Sequence, residues 1–256
     1  MGHGDIIVGD ASGSVLTNLT LVLGIFPFIY GTIRVRRREF LVIGLCVVLA
    51  LLTLYATIEK GYISRINALF LIFSLFAYLF IIYETTKSSA IEHIDLIITK
   101  SDKSKRYHAS LAISGFIGVA LGSYIIIQSV IAISTNLGVQ EYIISFFALS
   151  LATSLPELAV DITALKKKHW SMAIGDIIGS CIVDSTLAIG IGFFFFPQKV
   201  SAYLITPALL YILTVAIIII TIVFLRQKID KLTGLLCFAL YATAFIVLLT
   251  VWSNTL

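Results

Sequence analysis

Long apolar runs fill nearly the whole chain and constrain its fold more than any other feature. Only helices or closed barrels satisfy backbone hydrogen bonding in lipid, and the runs lack the polar–apolar alternation of barrel strands. A helix needs about 20 mostly apolar residues to cross a bilayer. The sequence predicts an all-α integral membrane protein with eight transmembrane helices, at approximately residues 6–31, 40–58, 66–83, 109–133, 141–165, 171–196, 202–225 and 232–252.

Positive charge is distributed unevenly among the connections, and this distribution predicts the topology. Lys and Arg concentrate on the cytoplasmic side of membrane proteins. The connections after the first, third, fifth and seventh spans carry most of them, whereas the opposite side carries only Lys60, Arg65 and Lys199. We expect a multi-pass protein of the cell membrane with both termini extracellular. The net charge of +4 does not indicate nucleic acid, because the basic residues adjoin membrane spans.

Two segments of the chain resemble each other at a constant offset in sequence. The offset relates Gly9-Asp10 to Gly175-Asp176 and Gly13-Ser14 to Gly179-Ser180, and it continues without a gap to Ile63 and Ile229. The second copy contains five spans and the first copy only the last three. An odd number of spans per copy inverts one copy relative to the other. Inverted repeats with a midplane site between them are typical of secondary transporters.

The repeat also predicts how the chain is divided. Residues 1–83 form a partial first repeat of three helices, and residues 109–256 form a complete second repeat of five. Residues 84–108, which have mixed charge and no hydrophobic pattern, form a cytoplasmic linker between them.

An acidic residue inside a span is costly and is a functional candidate by default. Glu157 lies centrally in the fifth span, at the end of Ala-Thr-Ser-Leu-Pro-Glu (152–157). Pro156 cannot donate a hydrogen bond to the Ala152 carbonyl, so backbone oxygens are freed near a carboxylate. Thr153 shares a helix face with Glu157, and Ser154 is three residues away. Oxygen ligands with an anion are those that Ca²⁺ prefers.

Polar residues recur every four positions in two other spans. The sixth span contains Asp176, Ser180 and Asp184, and the first contains Asp10, Ser14 and Asn18. Asp184 is deep in an apolar run, which favours a role in cation binding. Asp10 and Asp176 lie nearer the helix ends, where a capping or solvated role fits equally well. Asp161 follows Glu157 by one turn and is either a further ion or proton site or a partner of Lys166 to Lys168.

These motifs resemble the alpha repeats of the sodium/calcium exchanger family, of the prokaryotic type, within the cation/calcium antiporter group. Residues 152–157 and 175–184 resemble the second alpha repeat, and residues 9–18 resemble the latter half of the first. The resemblance spans the whole chain. It implies an inverted-repeat antiporter bundle of ten helices, of which the first two are missing here. It further implies a transporter, not an enzyme, that exchanges Na⁺ for Ca²⁺ and needs no cofactor.

The resemblance also implies a set of cation ligands. The metal ligands would be Glu157 and Asp184, and the remaining oxygens would come from Thr153, Ser154, Ser180, Asn18 and Ser14, with the Ser150 carbonyl nearby. Asp161, Asp10 and Asp176 are secondary candidates that depart from the family pattern, since the last two occupy positions where the family has Asn.

Two alternatives stay open. The added acids are compatible with a proton- or potassium-coupled cation exchanger. The missing helices are compatible with a truncated and inactive fragment, or with a split transporter in which a separate chain supplies them. The other expected partners are the lipid bilayer and the Na⁺ and Ca²⁺ ions.

Overall fold

The computed structural model describes residues 3–94 and 105–253, in part by backbone alone next to the gap. These residues form eight helices joined by short connections, and each of the eight predicted spans overlaps one of the helices. They are α1 Gly4–Ile29, α2 Arg37–Ile58, α3 Arg65–Ile94, α4 Lys105–Leu137, α5 Glu141–Lys166, α6 Trp170–Phe195, α7 Ala202–Arg226 and α8 Lys231–Ser253.

Seven helices in the described part of the chain are long and apolar enough to cross a membrane, with spans of 22 to 26 residues. The remaining helix, α4, is 33 residues long, and its described apolar stretch is Leu121–Leu137. Large apolar side chains cover the outside of the bundle, among them Phe73 on α3, which is 66% exposed. Such a surface suits lipid as the surrounding solvent. Both α3 and α4 extend into the predicted linker 84–108, of which 95–104 lie outside the described residues.

The two repeats have the same local structure. Helix α6 begins and ends at the positions that the repeat offset predicts from the two ends of α1. Each helix contains one π-helical segment at the same position, Asn18–Val22 in α1 and Asp184–Ala188 in α6. Within them, Thr20 and Thr186 each donate a hydroxyl hydrogen bond to the carbonyl four residues earlier, at 2.5 and 2.6 Å. The similarity inferred from the sequence therefore extends to the backbone of these helices.

Four two-residue strands connect the repeats at the ends of the bundle. They are β1 Ile33–Arg34, β2 Tyr62–Ile63, β3 Gln198–Lys199 and β4 Lys228–Ile229. Strand β1 pairs antiparallel with β4, and β2 pairs antiparallel with β3. Each pair joins one connection of the first repeat to one of the second. These are connections that the predicted topology assigns to the same side of the membrane.

The strands differ in one detail between the repeats. Strand β4 follows β2 at the repeat offset, whereas β3 begins one position earlier than the offset predicts from β1. The connection from α1 to β1 contains Gly31 with φ of 92°, a conformation that glycine adopts readily. The connection from α6 to β3 contains Pro197 and is one residue shorter.

Glycines set the closest helix contacts, as is common in membranes, where small residues let helix backbones approach each other. On α1, a Cβ atom at Gly9 would lie 2.8 Å from the carbonyl oxygen of Tyr142 on α5, and one at Gly13 would overlap that of Phe146. The equivalent positions on α6, Gly175 and Gly179, differ, because no described atom lies within 4 Å of such a Cβ. Helix α1 is thus tightly covered by α5, whereas the same face of α6 is open.

Helices α3 and α8 begin with equivalent side-chain caps. The Ser64 hydroxyl accepts a hydrogen bond from the Asn67 backbone N–H at 3.2 Å. Asp230, which is the equivalent of Ser64 in the second repeat, accepts one from the Thr233 backbone N–H at 3.1 Å. Asp230 also forms an ion pair with Arg226 at 2.6 Å.

The charge of Asp230 distinguishes its cap from that of Ser64. Burial alone would raise the pKa of the Asp230 carboxyl. Hydrogen bonds from Thr233 and Lys228 and the charge of Arg226 outweigh burial, so they hold the pKa below its ordinary value of 3.8. The ionised form is therefore the one that the fold stabilises.

We predict that Gly13→Ala lowers the stability of the purified protein, because the new methyl group would overlap the Phe146 carbonyl and separate α1 from α5. Overpacking of this kind typically costs about 1–3 kcal/mol. Thermal unfolding in detergent measures the effect. The matched control is Gly122→Ala on α4, where a Cβ meets no described atom within 4 Å. Equal midpoints for the two variants would contradict the tight α1–α5 contact.

A second prediction concerns pH. Asp230→Ala should cost about 1 kcal/mol at neutral pH, as the loss of a helix cap does. Because the folded-state pKa of Asp230 is lowered, this contribution is present above about pH 4, the unfolded-state pKa, and is lost as the pH falls through the folded-state pKa. Ser64→Ala removes the equivalent uncharged cap. Unfolding followed at several pH values should show a difference from wild type that shrinks in acid for Asp230→Ala and stays constant for Ser64→Ala.

Candidate cation site

The contact between α1 and α5 aligns polar residues of the two helices. The Ser14 hydroxyl lies 3.3 Å from the Thr153 hydroxyl. One turn further along both helices, the Asn18 amide Nδ2 donates a hydrogen bond to Glu157 Oε2 at 3.1 Å. Both pairs are 139 residues apart in sequence, so the helices run in the same direction and in register. The close glycine contacts fix this register, which places the Asn18 amide of the first repeat beside the Glu157 carboxylate of the second.

Ser14, Thr153 and Glu157 border a cavity of about 350 Å³ between α1, α4, α5 and α6. Its polar lining comes from all four helices and consists of Asp10, Ser14, Ser123, Thr153, Glu157 and Asp184. Apolar side chains complete the wall, with Ile6, Ile7 and Ala11 from α1, Ile126 and Ile127 from α4, Leu149 from α5 and Ala188 from α6. The cavity is roomy enough for a cation with several oxygen ligands.

Three carboxyl groups face this cavity and repel one another. Asp184 interacts electrostatically with both Glu157 and Asp10. Asp10 accepts a hydrogen bond from the Thr153 hydroxyl at 2.9 Å, but one oxygen of Asp184, Oδ2, is buried without a hydrogen-bond partner. Carboxylates gathered in a low-dielectric site require a compensating positive charge or proton.

Two more buried oxygens in this region lack a hydrogen bond. Asn18 is 1% exposed, and its Oδ1 has no partner although its Nδ2 contacts Glu157. Ser154 is 2% exposed, and its Oγ has no partner either. Buried polar atoms are nearly always paired, so these oxygens near the polar cavity are free to accept a cation or a hydrogen-bond donor.

The helices are irregular where the site residues lie. Asn18 and Asp184 each begin a π-helical segment, and a third such segment, Ser145–Leu149, ends just before Ser150 in α5. Isolated π-turns within α-helices are frequent at functional sites. Pro156 lies inside α5, where it removes one backbone donor. The π-helical segments and Pro156 thus interrupt regular α-helical hydrogen bonding at or next to the positions that carry the polar residues.

The remaining predicted residues lie beside the cavity or apart from it. The Ser150 hydroxyl donates to the Phe146 carbonyl, and the Ser150 carbonyl oxygen lies 3.1 Å from the Thr153 hydroxyl. Ser180 is half-buried on α6, one turn before Asp184. Asp161 and Asp176 do not line the cavity. Within residues 3–94 and 105–253, Asp161 forms no salt bridge with Lys166, Lys167 or Lys168.

Sequence reasoning missed the contribution of α4. Ser123 lines the cavity together with Ile126 and Ile127. Its hydroxyl is a weak signal in an apolar run, because serine is common in membrane helices. Asp10 was ranked as secondary, yet it forms part of the cavity wall.

The ligand set also has a limit. In the described ranges, no group of three or more His, Cys, Asp and Glu side chains is arranged to hold a metal ion. A cation in this cavity would therefore depend on hydroxyl, amide and backbone oxygens in addition to carboxylates. Such mixed oxygen sets suit the hard cations Na⁺ and Ca²⁺ rather than transition metals.

Comparisons with known proteins agree with this architecture. The uncharacterized membrane protein MJ0091 of Methanocaldococcus jannaschii is 31% identical over 93% of this chain and 75% of its own length. The inner membrane protein YrbG of Escherichia coli is 26% identical over 73% of this chain and 59% of its own. The sodium/calcium exchanger MaX1 of Methanosarcina acetivorans is 27% identical over 51% of this chain and 37% of its own. The chain therefore spans about three quarters of the first relative and less of the other two.

A solved structure and a family profile extend the agreement. The sodium-calcium exchanger NCX_Mj, soaked with 2.5 mM Na⁺ and 0.1 mM Ca²⁺, superimposes with a TM-score of 0.63 and 26% identity, covering 95% of this chain and 76% of that one. The profile described as "Sodium/calcium exchanger protein" matches residues 1–84 and 107–251. Because this match covers most of the sequence, the chain belongs to the sodium/calcium exchanger protein family of membrane transporters.

Proposed function

We propose that this protein is a secondary active antiporter that exchanges Na⁺ for Ca²⁺ through an oxygen-ligand site near the membrane midplane. The observation that carries the proposal is the hydrogen bond from Asn18 to Glu157, at 3.1 Å, beside a cavity that also holds Asp184. Asn18 and Asp184 are equivalent residues of the two repeats. Transporters of inverted-repeat design bind their ions at such a repeat interface.

Calcium would bind through six to eight oxygens, as it does in other proteins. Glu157 and Asp184 supply the negative charge as the metal ligands. Thr153, Ser14 and Ser180 supply hydroxyl groups. The unpaired Asn18 Oδ1 and Ser154 Oγ are the neutral oxygens that gain most from a cation, because neither loses an existing hydrogen bond.

Sodium would compete for the same oxygens, and this competition couples the two fluxes. Two carboxylates balance the charge of one Ca²⁺ or of two Na⁺ ions. Binding of either therefore brings the net charge of the site to zero, which lowers the cost of placing it inside the membrane. The site faces each side of the membrane in turn. With both termini extracellular, as the basic connections favour, the inward sodium gradient drives calcium out of the cell.

We also propose that a helix supplied by another polypeptide packs on the open face of α6. The same face of α1 is filled by α5, whose backbone would overlap a Cβ at Gly13, whereas Gly175 and Gly179 meet no described atom within 4 Å. Asp176, between them, is exposed within a membrane span. An intramembrane acid with small residues on both sides is better accommodated against a helix than against lipid.

We predict that Glu157→Gln abolishes calcium transport, because it removes the carboxylate that accepts the Asn18 hydrogen bond and would hold the ion. The assay is ⁴⁵Ca²⁺ uptake into sodium-loaded proteoliposomes, prepared with the membrane proteins that copurify with the chain. The charge-matched control is Glu59→Gln, an exposed loop position, which should transport normally. Sodium-driven ⁴⁵Ca²⁺ uptake by the Glu157→Gln variant would contradict the assignment of Glu157 as a cation ligand.

The same vesicles test the alternative of proton- or potassium-coupled exchange. One observation favours that alternative, namely that a third acid, Asp10, faces the cavity with Glu157 and Asp184. If wild-type uptake follows an imposed pH or potassium gradient and ignores the sodium gradient, the coupling ion is not sodium.

A further prediction tests the additional helix. In native membranes, where all partner chains are present, Gly179→Ala should lower thermal stability about as much as Gly13→Ala, at about 1–3 kcal/mol for overpacking. In the purified chain alone, Gly179→Ala should resemble the control Gly122→Ala. Identical behaviour of Gly179→Ala and Gly122→Ala in both settings would argue that α6 faces lipid.

A further inference from the structure

A second pair of acidic side chains lies outside the cavity, between α5 and α6. Asp161 is five residues before the end of α5 at Lys166, and Asp176 is six residues after the start of α6 at Trp170. At 1.5 Å per residue, both lie about 8–9 Å from the turn that joins the two helices. The two carboxyl groups interact electrostatically and lie within hydrogen-bonding reach of each other. They are therefore at the same depth and on facing sides of neighbouring helices.

Asp161 is the buried member of this pair. It is 1% exposed, and neither of its carboxylate oxygens has a hydrogen-bond partner among the described residues. Asp176 is the exposed member. A buried carboxylate without a donor is among the most costly groups in a folded protein unless a positive charge or a proton accompanies it.

The neighbouring charges do not supply that compensation. The other ionisable group that acts on Asp161 is Glu157, one turn earlier on α5, and its charge is also negative. The basic residues Lys166 to Lys168 are exposed at the helix end, and no described salt bridge links them to Asp161.

The repeat provides an internal comparison for Asp176. Its equivalent in the first repeat, Asp10, accepts a hydrogen bond from Thr153 at 2.9 Å and belongs to the central cavity. Asp176 instead meets Asp161, a second acid. Equivalent positions of the two repeats thus have different surroundings, and those of Asp176 bring two acidic side chains together.

We propose that Asp161 and Asp176 form a second cation-binding site, separate from the Glu157 cavity and nearer the Lys166 end of α5. The site takes Ca²⁺, a hard cation, because its ligands are carboxylate oxygens. A calcium ion between the two carboxylates offsets their mutual repulsion.

The position suggests a role in transport that rests on the function proposed above. Asp161 follows Glu157 by one helix turn, about 6 Å along the axis. A cation held there is adjacent to the central site on the side of the basic connection. It would be the last position before release to that side, or the first after entry from it. The binding of the cation itself does not depend on this role.

The test counts calcium ions bound by the purified protein, using equilibrium ⁴⁵Ca²⁺ binding in detergent at constant pH. Wild type should bind at two sites. Asp161→Asn should lose one of them and Glu157→Gln the other, and the double variant should lose both. Glu59→Gln is the matched charge control and should retain both. Asp176→Asn repeats the test from the exposed side, and Asp161→Glu, which keeps a carboxylate, should retain binding. Gel filtration and thermal unfolding confirm that each variant is folded.

The outcomes separate this proposal from the proposed transport function. Loss of one calcium ion in both Asp161→Asn and Asp176→Asn supports the second site, even if Glu157→Gln changes nothing and the central site fails. Unchanged calcium binding in Asp161→Asn and Asp176→Asn overturns it. A shared proton in place of a cation would also overturn it, and would appear as unchanged calcium binding with a proton uptake on folding that Asp161→Asn abolishes.

Discussion

The close contact between α1 and α5 is the constraint on which the candidate cation site depends. An apolar side chain gains little free energy when it moves from lipid into a helix interface, because both environments are apolar. Helices in a membrane therefore associate through close packing and hydrogen bonds. Gly9 and Gly13 let α5 approach until its carbonyl oxygens occupy the space that a side chain would fill. At that distance Ser14 and Asn18 reach Thr153 and Glu157. A wider separation would leave these polar groups unpaired inside the membrane.

The candidate site is built from groups that the fold leaves without hydrogen-bond partners. Asp184, Asn18 and Ser154 each present a buried oxygen without a hydrogen bond, and the nearby carboxyl groups repel one another. Such an arrangement is unfavourable as a permanent core. The cation binding proposed above would offset this cost, because a cation compensates the desolvation of the oxygens. The same reasoning applies to Asp161, which packing alone does not explain.

The pseudo-symmetry of the repeats is close in local structure and broken in packing. The bounds of α1 and α6, their π-turns and the caps at Ser64 and Asp230 recur at one spacing, because similar local sequences favour similar backbone conformations. Gly24 and Gly190 also pack alike, on Phe238 of α8 and on its repeat equivalent Ile72 of α3. The faces of Gly13 and Gly179 do not, since α5 covers only the first. This difference gives the two sides of the bundle unequal surroundings.

The sequence alone determined the membrane class and the approximate positions of the helices, and it predicted the repeat and a central role for Glu157. Hydrophobic length, identical residues at a fixed spacing and an acid in an apolar run are local properties that can be read from the sequence. It predicted the polar stripes of α1 and α6 but not their neighbours. Only the tertiary structure decided that Asn18 meets Glu157, that Ser123 joins the cavity and that Asp161 faces Asp176. Those contacts depend on the rotation and register of helices far apart in sequence, which close packing sets and which no single helix encodes.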